Sequence, residues 1–470
     1  MTGQPMGAIV SLGGCSASFV SPDGLIATNH HCVQGALQYN STPERNLIED
    51  GWLAKTRADE LWNGPGSRVY VTTRVREVTN EILGKLSPRL SDLDRQARIE
   101  RRQKELLAKC EKPGTRCTVA SFFEGARWFE ITQDELEDVR LVYAPPASIG
   151  NFGGETDNWM WPRHTGDWSF YRAYVGKDGK PAPYSKDNVP YQPKRFLKVS
   201  TKGASEGELV IVAGYPGRTK RLKTYAEVKE QLDWSYPRTV RRYREMLGIL
   251  DGIGDADPNA RIAVATRVRG LANTMKNHEG VLEGAAREGL LAQKKQAEAD
   301  LLAWIEADPK RRAAFGGVLP QLDALQAKQE RTRERDATFE ALFYNSSVLG
   351  SARTILRLAE NRAKPDVERD LGYQARDFRR IRDTEERKQR SLAPVADRAL
   401  LRYAMLEAAA LPADQRIQPL DRAIGLVPGQ AAADAAKRID AYLDGLYAGT
   451  KLFDRETRLG LLEKSRKDVL

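Results

Sequence analysis

Two histidines stand side by side against a cysteine in GLIATNHHC, residues 24–32, in a chain of 470 residues that contains four histidines in all. Imidazole titrates close to neutral pH, so a histidine held in a fixed place is a natural general base. Neighbouring side chains in extended backbone point to opposite faces, and His30 and His31 are therefore not expected to share one task. Upstream, GGCSASFVSPDGLIAT reads as a strand, an Asp23-Gly24 turn and a second strand. Across that hairpin Cys32 can reach back to Cys15 and pin the histidine that precedes it. On these residues alone the pair suits a general base and a buried, hydrogen-bonded histidine equally well.

The other two cysteines, Cys110 and Cys117, flank EKPGTR, a turn sequence. Four cysteines in two nearby pairs point to two small disulfide loops and an oxidising compartment, with four free thiols as the alternative. No C-x-x-C spacing occurs, which argues against a zinc site, and no cofactor motif is present. A second unusual stretch is GNFGGETDNWMWPRHTGDWSFYRAYV, residues 150–175. It gathers three of the chain's eight tryptophans, with glycines and several polar groups, just before a strand.

The elements that must position these residues divide the chain into two halves. Residues 1–220 read as β-rich: VYVTTRV (69–75) alternates, FYRAYVGKDGKPAPY (170–184) carries an Asp178-Gly179 turn, and ELVIVAGYPGR (208–218) is an apolar strand. A helix predicted over 91–110, closed by Pro113-Gly114, interrupts this pattern as an insertion. Residues 221–470 read as helical. In DRALLRYAMLEAAAL (397–411), Leu401, Ala404, Met405 and Ala408 fall on one helix face, and 289–307 and 320–343 behave likewise. The formal net charge is +10, but acid and base interleave, as in RRIRDTEERKQR (379–390). That pattern describes solvated helix faces better than a nucleic-acid surface. No apolar run is long enough to span a membrane, and the N-terminal residues do not form a signal peptide.

The strand pair followed by T-x-x-H-C resembles the surroundings of the general base in chymotrypsin-like proteases. TNHHC together with NFGGETDNWMWPRHTGDWSFYRAY, LVIVAGYPGRT and LANTMKNHEG (271–280) resembles the bacterial dipeptidyl peptidases typified by dipeptidyl-peptidases seven and eleven, exopeptidases of the chymotrypsin clan. The resemblance runs along essentially the whole chain. It implies an α+β multi-domain protein: the first barrel of a chymotrypsin-like double β-barrel over 1–220, and an inserted all-α cap over 221–470. It selects His31 as the base, because the catalytic histidine directly precedes the cysteine. It implies Asp167 as the orienting carboxylate, with Asp157 as its rival. Asn158, Trp159 and the cap residue Asn273 would hold the substrate's free amino terminus, so that dipeptides are released. The resemblance further implies oligopeptide substrates, a homodimer for the full-length protein and a periplasmic or cell-surface location.

A serine hydrolase also needs its serine. The family's G-N-S-G loop belongs to the second barrel, and no such motif occurs in these residues. The expectation is a fragment shortened at both ends, inactive by itself, without the second barrel and without the pocket that sets preference for acidic or apolar residues. The alternative is a noncatalytic protease-like protein that binds peptides. A zinc hydrolase using His30, His31, His164 or His278 is a distant third, because no H-E-x-x-H or similar ligand pair appears.

Overall fold

A computed structural model describes residues 5–217 and 220–469. The last residues of the LVIVAGYPGRT stretch, and Leu470, lie outside the described residues. The architecture is α+β. An antiparallel sheet occupies the first half and helices the second.

The sheet has eleven strands: β1 (Ile9–Ser11), β2 (Ser16–Phe19), β3 (Leu25–Thr28), β4 (Trp52–Leu53), β5 (Leu61–Trp62), β6 (Val69–Glu77), β7 (Thr115–Phe122), β8 (Arg127–Leu136), β9 (Asp138–Ala144), β10 (Ser169–Val175) and β11 (Val189–Pro190). They pair in the order β4-β9-β10-β3-β2-β1-β6-β8-β7, with β5 added on β9 and β11 on β10. The β2–β3 hairpin turns at Asp23-Gly24 as its sequence predicts, with Ser18 opposite Ala27. Gly24 has φ +77°, and a Cβ there would lie 2.8 Å from the carbonyl oxygens of Ala173 and Tyr191, so both conformation and crowding require glycine. Val10, Phe19, Ile26, Leu136, Leu141 and Tyr171 form the core of this half. Against them packs helix α1 (His30–Asn40) through Val33, Ala36 and Leu37.

The predicted insertion helix runs over Asp92–Cys110. Ser91 caps it by accepting from the Asp94 amide at 3.1 Å, and it buries Ile99 and Leu107 against Val78, Ile82 and Val119. Both expected disulfides are formed, Cys15–Cys32 and Cys110–Cys117.

Three sequence expectations change. The histidine pair lies in no extended segment: Asn29 keeps extended backbone at the N-cap position, and His30 opens α1. The reason is local, since HHCVQGALQY contains one β-branched residue and no helix breaker apart from Gly35. The stretch 208–218 forms no strand among the described residues. Leu209, Val210, Ile211 and Val212 are exposed, because β-propensity builds a strand only against a partner edge and none is in register here. The 320–343 stretch breaks into two helices, Val318–Glu330 and Arg333–Asn345.

The last strand ends at Pro190, and the helical half begins at Tyr225. Its long helices Tyr236–Ala256 and Pro258–Arg287 pack side by side and share a core of Met246, Leu250, Val264 and Leu271 with Leu400 of helix Pro394–Ala409. On that last helix Leu401, Ala404, Met405 and Ala408 are buried, as their spacing predicts. The helical half returns to the sheet through helix Phe378–Lys388. Arg68, between Glu135 and Glu137 of the sheet half, reaches Asp383 at 2.7 Å, and Arg116 of β7 reaches Asp377 at 2.9 Å. No helix among the described residues is long and apolar enough to cross a membrane.

Candidate active site

Helix α1 separates the two histidines by about 100° around its axis, one turn holding 3.6 residues. His30 is fully buried against the short helix Ala147–Gly150. Burial, with the nearby Arg269 charge, holds its pKa down at about 4, so the ring is neutral near pH 7. Gln34, one turn on, lies 3.3 Å from its Nδ1. The ring packs so closely on Gly150 that a Cβ there would come within 2.4 Å of it.

His31 faces solvent, with half of its side chain exposed. Its Nδ1 lies 2.8 Å from Asp167 Oδ2, while its backbone amide donates to Asp167 Oδ1 at 3.0 Å. Asp167 stands just before β10, whose register against β3 (Ser169 opposite Thr28) brings residues 29–31 and 167 together. Asn29 does not cap α1 with its side chain. Its amide donates to the Asp167 backbone carbonyl at 3.1 Å and to Asp167 Oδ2 at 3.2 Å. Burial pushes the Asp167 carboxyl up, but the ring and backbone hydrogen bonds from His31 and the charge of Arg269 outweigh it, and the pKa falls to about 2. The carboxylate is therefore ionised at neutral pH and can only accept. A neutral His31 must then carry its hydrogen on Nδ1, which leaves the Nε2 lone pair free to act as a base. Among the described residues no side chain hydrogen-bonds Nε2. Asp157, the rival carboxylate, makes no contact with His31 and lies beside Gly153. The Cys15–Cys32 disulfide ties the second residue after His30 to the start of β2, with Cα atoms 6.1 Å apart. Cys15, His31 and Cys32 cluster closely, but both sulfurs are consumed by that bond. His164 is exposed and His278 stacks on Tyr236, so the four histidines converge on no common metal position.

The structure also brings Asn158, Trp159 and Asn273 together. Trp159 Nε1 donates to the backbone carbonyl of Asn273 at 3.0 Å and to its side-chain oxygen at 3.1 Å. Asn158 Nδ2 donates to that same oxygen at 3.0 Å and to Glu155 at 3.0 Å, and Arg163 donates to Asn158 Oδ1 at 3.2 Å. Trp159 takes a left-handed backbone, φ +61°. Asn273 lies well inside helix Pro258–Arg287 and caps nothing. The same helix grips the loop again, Arg269 donating to Asn151 and Lys276 to the Thr156 carbonyl.

His31, Asp167, Asn158, Trp159 and Asn273 all line one cleft of about 770 Å³, together with Glu155, Arg163 and Arg269. The last three were not singled out from sequence. Glu155 sits inside the tryptophan-rich motif and could have been found there, whereas nothing local marks Arg269, which acts from another half of the chain. At one point of the cleft lies an imidazole oriented by a carboxylate, with its Nε2 open. At another lies the Glu155 carboxylate, which accepts from Asn158 and keeps acceptor capacity for a cation.

The peptidase S46 family profile matches residues 1–470. The chain is 39% identical to the Asp/Glu-specific dipeptidyl-peptidase of Shewanella putrefaciens over 98% of its own length and 62% of that protein's. It is 36% identical to dipeptidyl-peptidase 7 of Capnocytophaga gingivalis over 71% of its length and 47% of that relative's. The crystal structure of DPP11 from Porphyromonas endodontalis with the dipeptide Arg-Glu superposes with a TM-score of 0.72 at 26% identity, covering 99% of this chain and 68% of that one. The chain thus spans less than two thirds of the length of the curated relatives it matches.

Proposed function

The chain belongs to the peptidase S46 family, and from that premise we propose that it carries the general base and the amino-terminus clamp of a serine dipeptidyl aminopeptidase. The observation that carries the reading is the 2.8 Å His31–Asp167 pair opening into the same cleft as Asn158, Trp159 and Asn273. In this reading a serine hydroxyl approaches His31 Nε2 and gives up its proton as it attacks the scissile carbonyl. Asp167 holds the ring and stabilises the imidazolium. Glu155 accepts from the substrate's α-ammonium, Asn158 and Asn273 exchange part of their present hydrogen bonds for it, and Trp159 walls the cleft. A clamp at fixed distance from the nucleophile measures two residues from the amino terminus, so a dipeptide leaves.

No G-N-S-G loop occurs in these 470 residues. We place the nucleophile in sequence beyond them, and with it the second barrel and the pocket for the residue before the cut. The sheet half, taken as 1–220, is then the first barrel of a chymotrypsin-like pair, and 221–470 the cap over the cleft. The same reading puts the whole protein in the periplasm or at the cell surface, as a homodimer. The 470 residues alone retain the clamp and would bind peptide amino termini without cleaving them.

The test uses a fluorogenic dipeptidyl amide on the protein extended through its serine loop. A free amino terminus should give turnover, and acetylating it should remove most of the rate. The 470-residue polypeptide should be slower by a thousandfold or more. Equal rates on free and acetylated substrate would overturn the clamp, and full activity in the 470 residues would overturn the placement of the nucleophile.

A further inference from the structure

Behind α1, on the side away from the sheet, lies a second cavity of about 450 Å³, between that helix, Pro65-Gly66 and the helical half. One part of its wall is apolar: Leu250, Val264, Leu392, Ala396 and Leu400. The rest is polar, and its charged groups are Arg267, Arg387, Lys388 and Arg390 against a single carboxylate, Asp397. Other poorly exposed arginines of the helical half meet carboxylates, as Arg242 meets Glu407 at 2.5 Å and Arg416 meets Asp421 at 2.6 Å, although Arg269 in the peptide cleft and Arg362 donate to neutral oxygens alone. Around this cavity three arginines lack a carboxylate together. Arg267 donates only to the Tyr344 and Asn345 carbonyls and the Asn345 side chain. Arg387 donates only to Asn63 and the Pro65 carbonyl. Arg390 lies over the Tyr39 ring at 5.5 Å, at the exposed mouth. Among the described residues none of the three has a carboxylate oxygen within 4.0 Å.

The other two charges are already engaged. Lys388 is paired with Glu385 at 2.6 Å, and Asp397 accepts from Ser346, the Ser347 amide and Tyr447. Burial pushes the pKa of Arg267 and of Arg387 below the ordinary arginine value, the expected mark of a charge short of a counter-ion. Gly35 is part of the construction, since a Cβ there would sit 2.9 Å from Arg387 Nη2. A guanidinium held partly out of water beside a volume of ligand size is costly until an anion arrives, and paired carboxylate or phosphate oxygens match its paired N–H groups.

We propose that this cavity is a binding site for a small organic oxyanion, its carboxylate or phosphate on Arg267, Arg387 and Arg390 and its apolar body against Leu250, Val264 and Leu400. The site is distinct from the peptide cleft, yet Gly35 and Thr266 border both. An occupant therefore braces the wall behind His31.

The probes are hexanoate and inorganic phosphate, titrated calorimetrically into the 470-residue protein, with no peptide present. Hexanoate should saturate one site and bind more tightly than phosphate. Arg390→Gln, at the solvent-exposed mouth where folding is undisturbed, and Arg267→Gln should each weaken hexanoate about tenfold, the loss expected for one charge-assisted contact. Absence of saturable hexanoate binding, or wild-type affinity in both variants, would overturn the site. Phosphate binding as tightly as hexanoate would overturn the apolar half of the assignment.

Discussion

At the scale of single residues, the two adjacent histidines meet opposite surroundings because one helix start turns them apart, His30 buried and His31 half exposed. His31 keeps an open Nε2. In the serine-bearing protein His31→Ala should abolish turnover and leave the circular dichroism spectrum unchanged. Asp167→Asn should lower kcat about a thousandfold or more with little change in KM, because the amide no longer enforces the productive tautomer; a neutral result would remove Asp167 from the mechanism. His30 should announce itself in the stability of the fold. Its pKa is about 4 when folded, against 6.5 for an ordinary histidine. Between those values the unfolded chain binds a proton that the folded chain refuses, so stability falls as pH drops from 6.5 towards 4, by about 1.4 kcal/mol per unit at most. Urea titrations at pH 7 and pH 5 should show this extra loss in the wild type and not in His30→Gln; parallel curves would mean that His30 is not held neutral. The choice of His31 over His30 rested in sequence on the neighbouring cysteine and the motif it resembles, and the structure places His31, not His30, on Asp167. That His30 is the buried partner was not legible, because an expectation of extended backbone gave the right division of labour for the wrong geometric reason.

Elements were legible where the signal is local. The Asp23-Gly24 turn, the capped Asp92–Cys110 helix and the buried face of Pro394–Ala409 each follow from a few consecutive residues. The 208–218 strand was misread because a strand is a relation between two segments, and LVIV contributes one of them. The contact between Asn158 and Asn273 joins residues 115 positions apart and could be anticipated only by resemblance. Glycines offer a sharp element-scale test. Gly150→Ala puts a methyl into the His30 ring and must shift the short helix Ala147–Gly150 and the loop after it. The expected cost is about 1–3 kcal/mol, with reduced activity. Gly248→Ala, in open space within helix Tyr236–Ala256, should leave activity alone and stabilise by up to about 1 kcal/mol. Thermal denaturation of the two variants side by side checks the contrast, and equal effects would show that His30 does not seat that helix.

For the whole molecule, the question is what keeps two halves of different architecture in one register. Arg68 is central: it is largely buried among Glu135, Glu137 and Asp383, and the Glu137 carboxyl is already pushed up by burial. Arg68→Met would strand those carboxylates, and the expected loss is about 3–5 kcal/mol near neutral pH, recovered in part as acid protonates them. Denaturant midpoints measured at pH 7.5 and pH 5 check it; a loss independent of pH would mean that packing rather than charge holds the junction. The proposed amino-terminus clamp depends on this junction, since Asn158 and Trp159 belong to a loop of one half and Asn273 to a helix of the other. That division has a consequence for inheritance. A recombination event that exchanged the helical half would keep the side-chain part of this contact only where the incoming helix carries an acceptor at the place of Asn273. A chimaera whose incoming helix lacks that acceptor should lose the tie between the tryptophan-rich loop and the helical half.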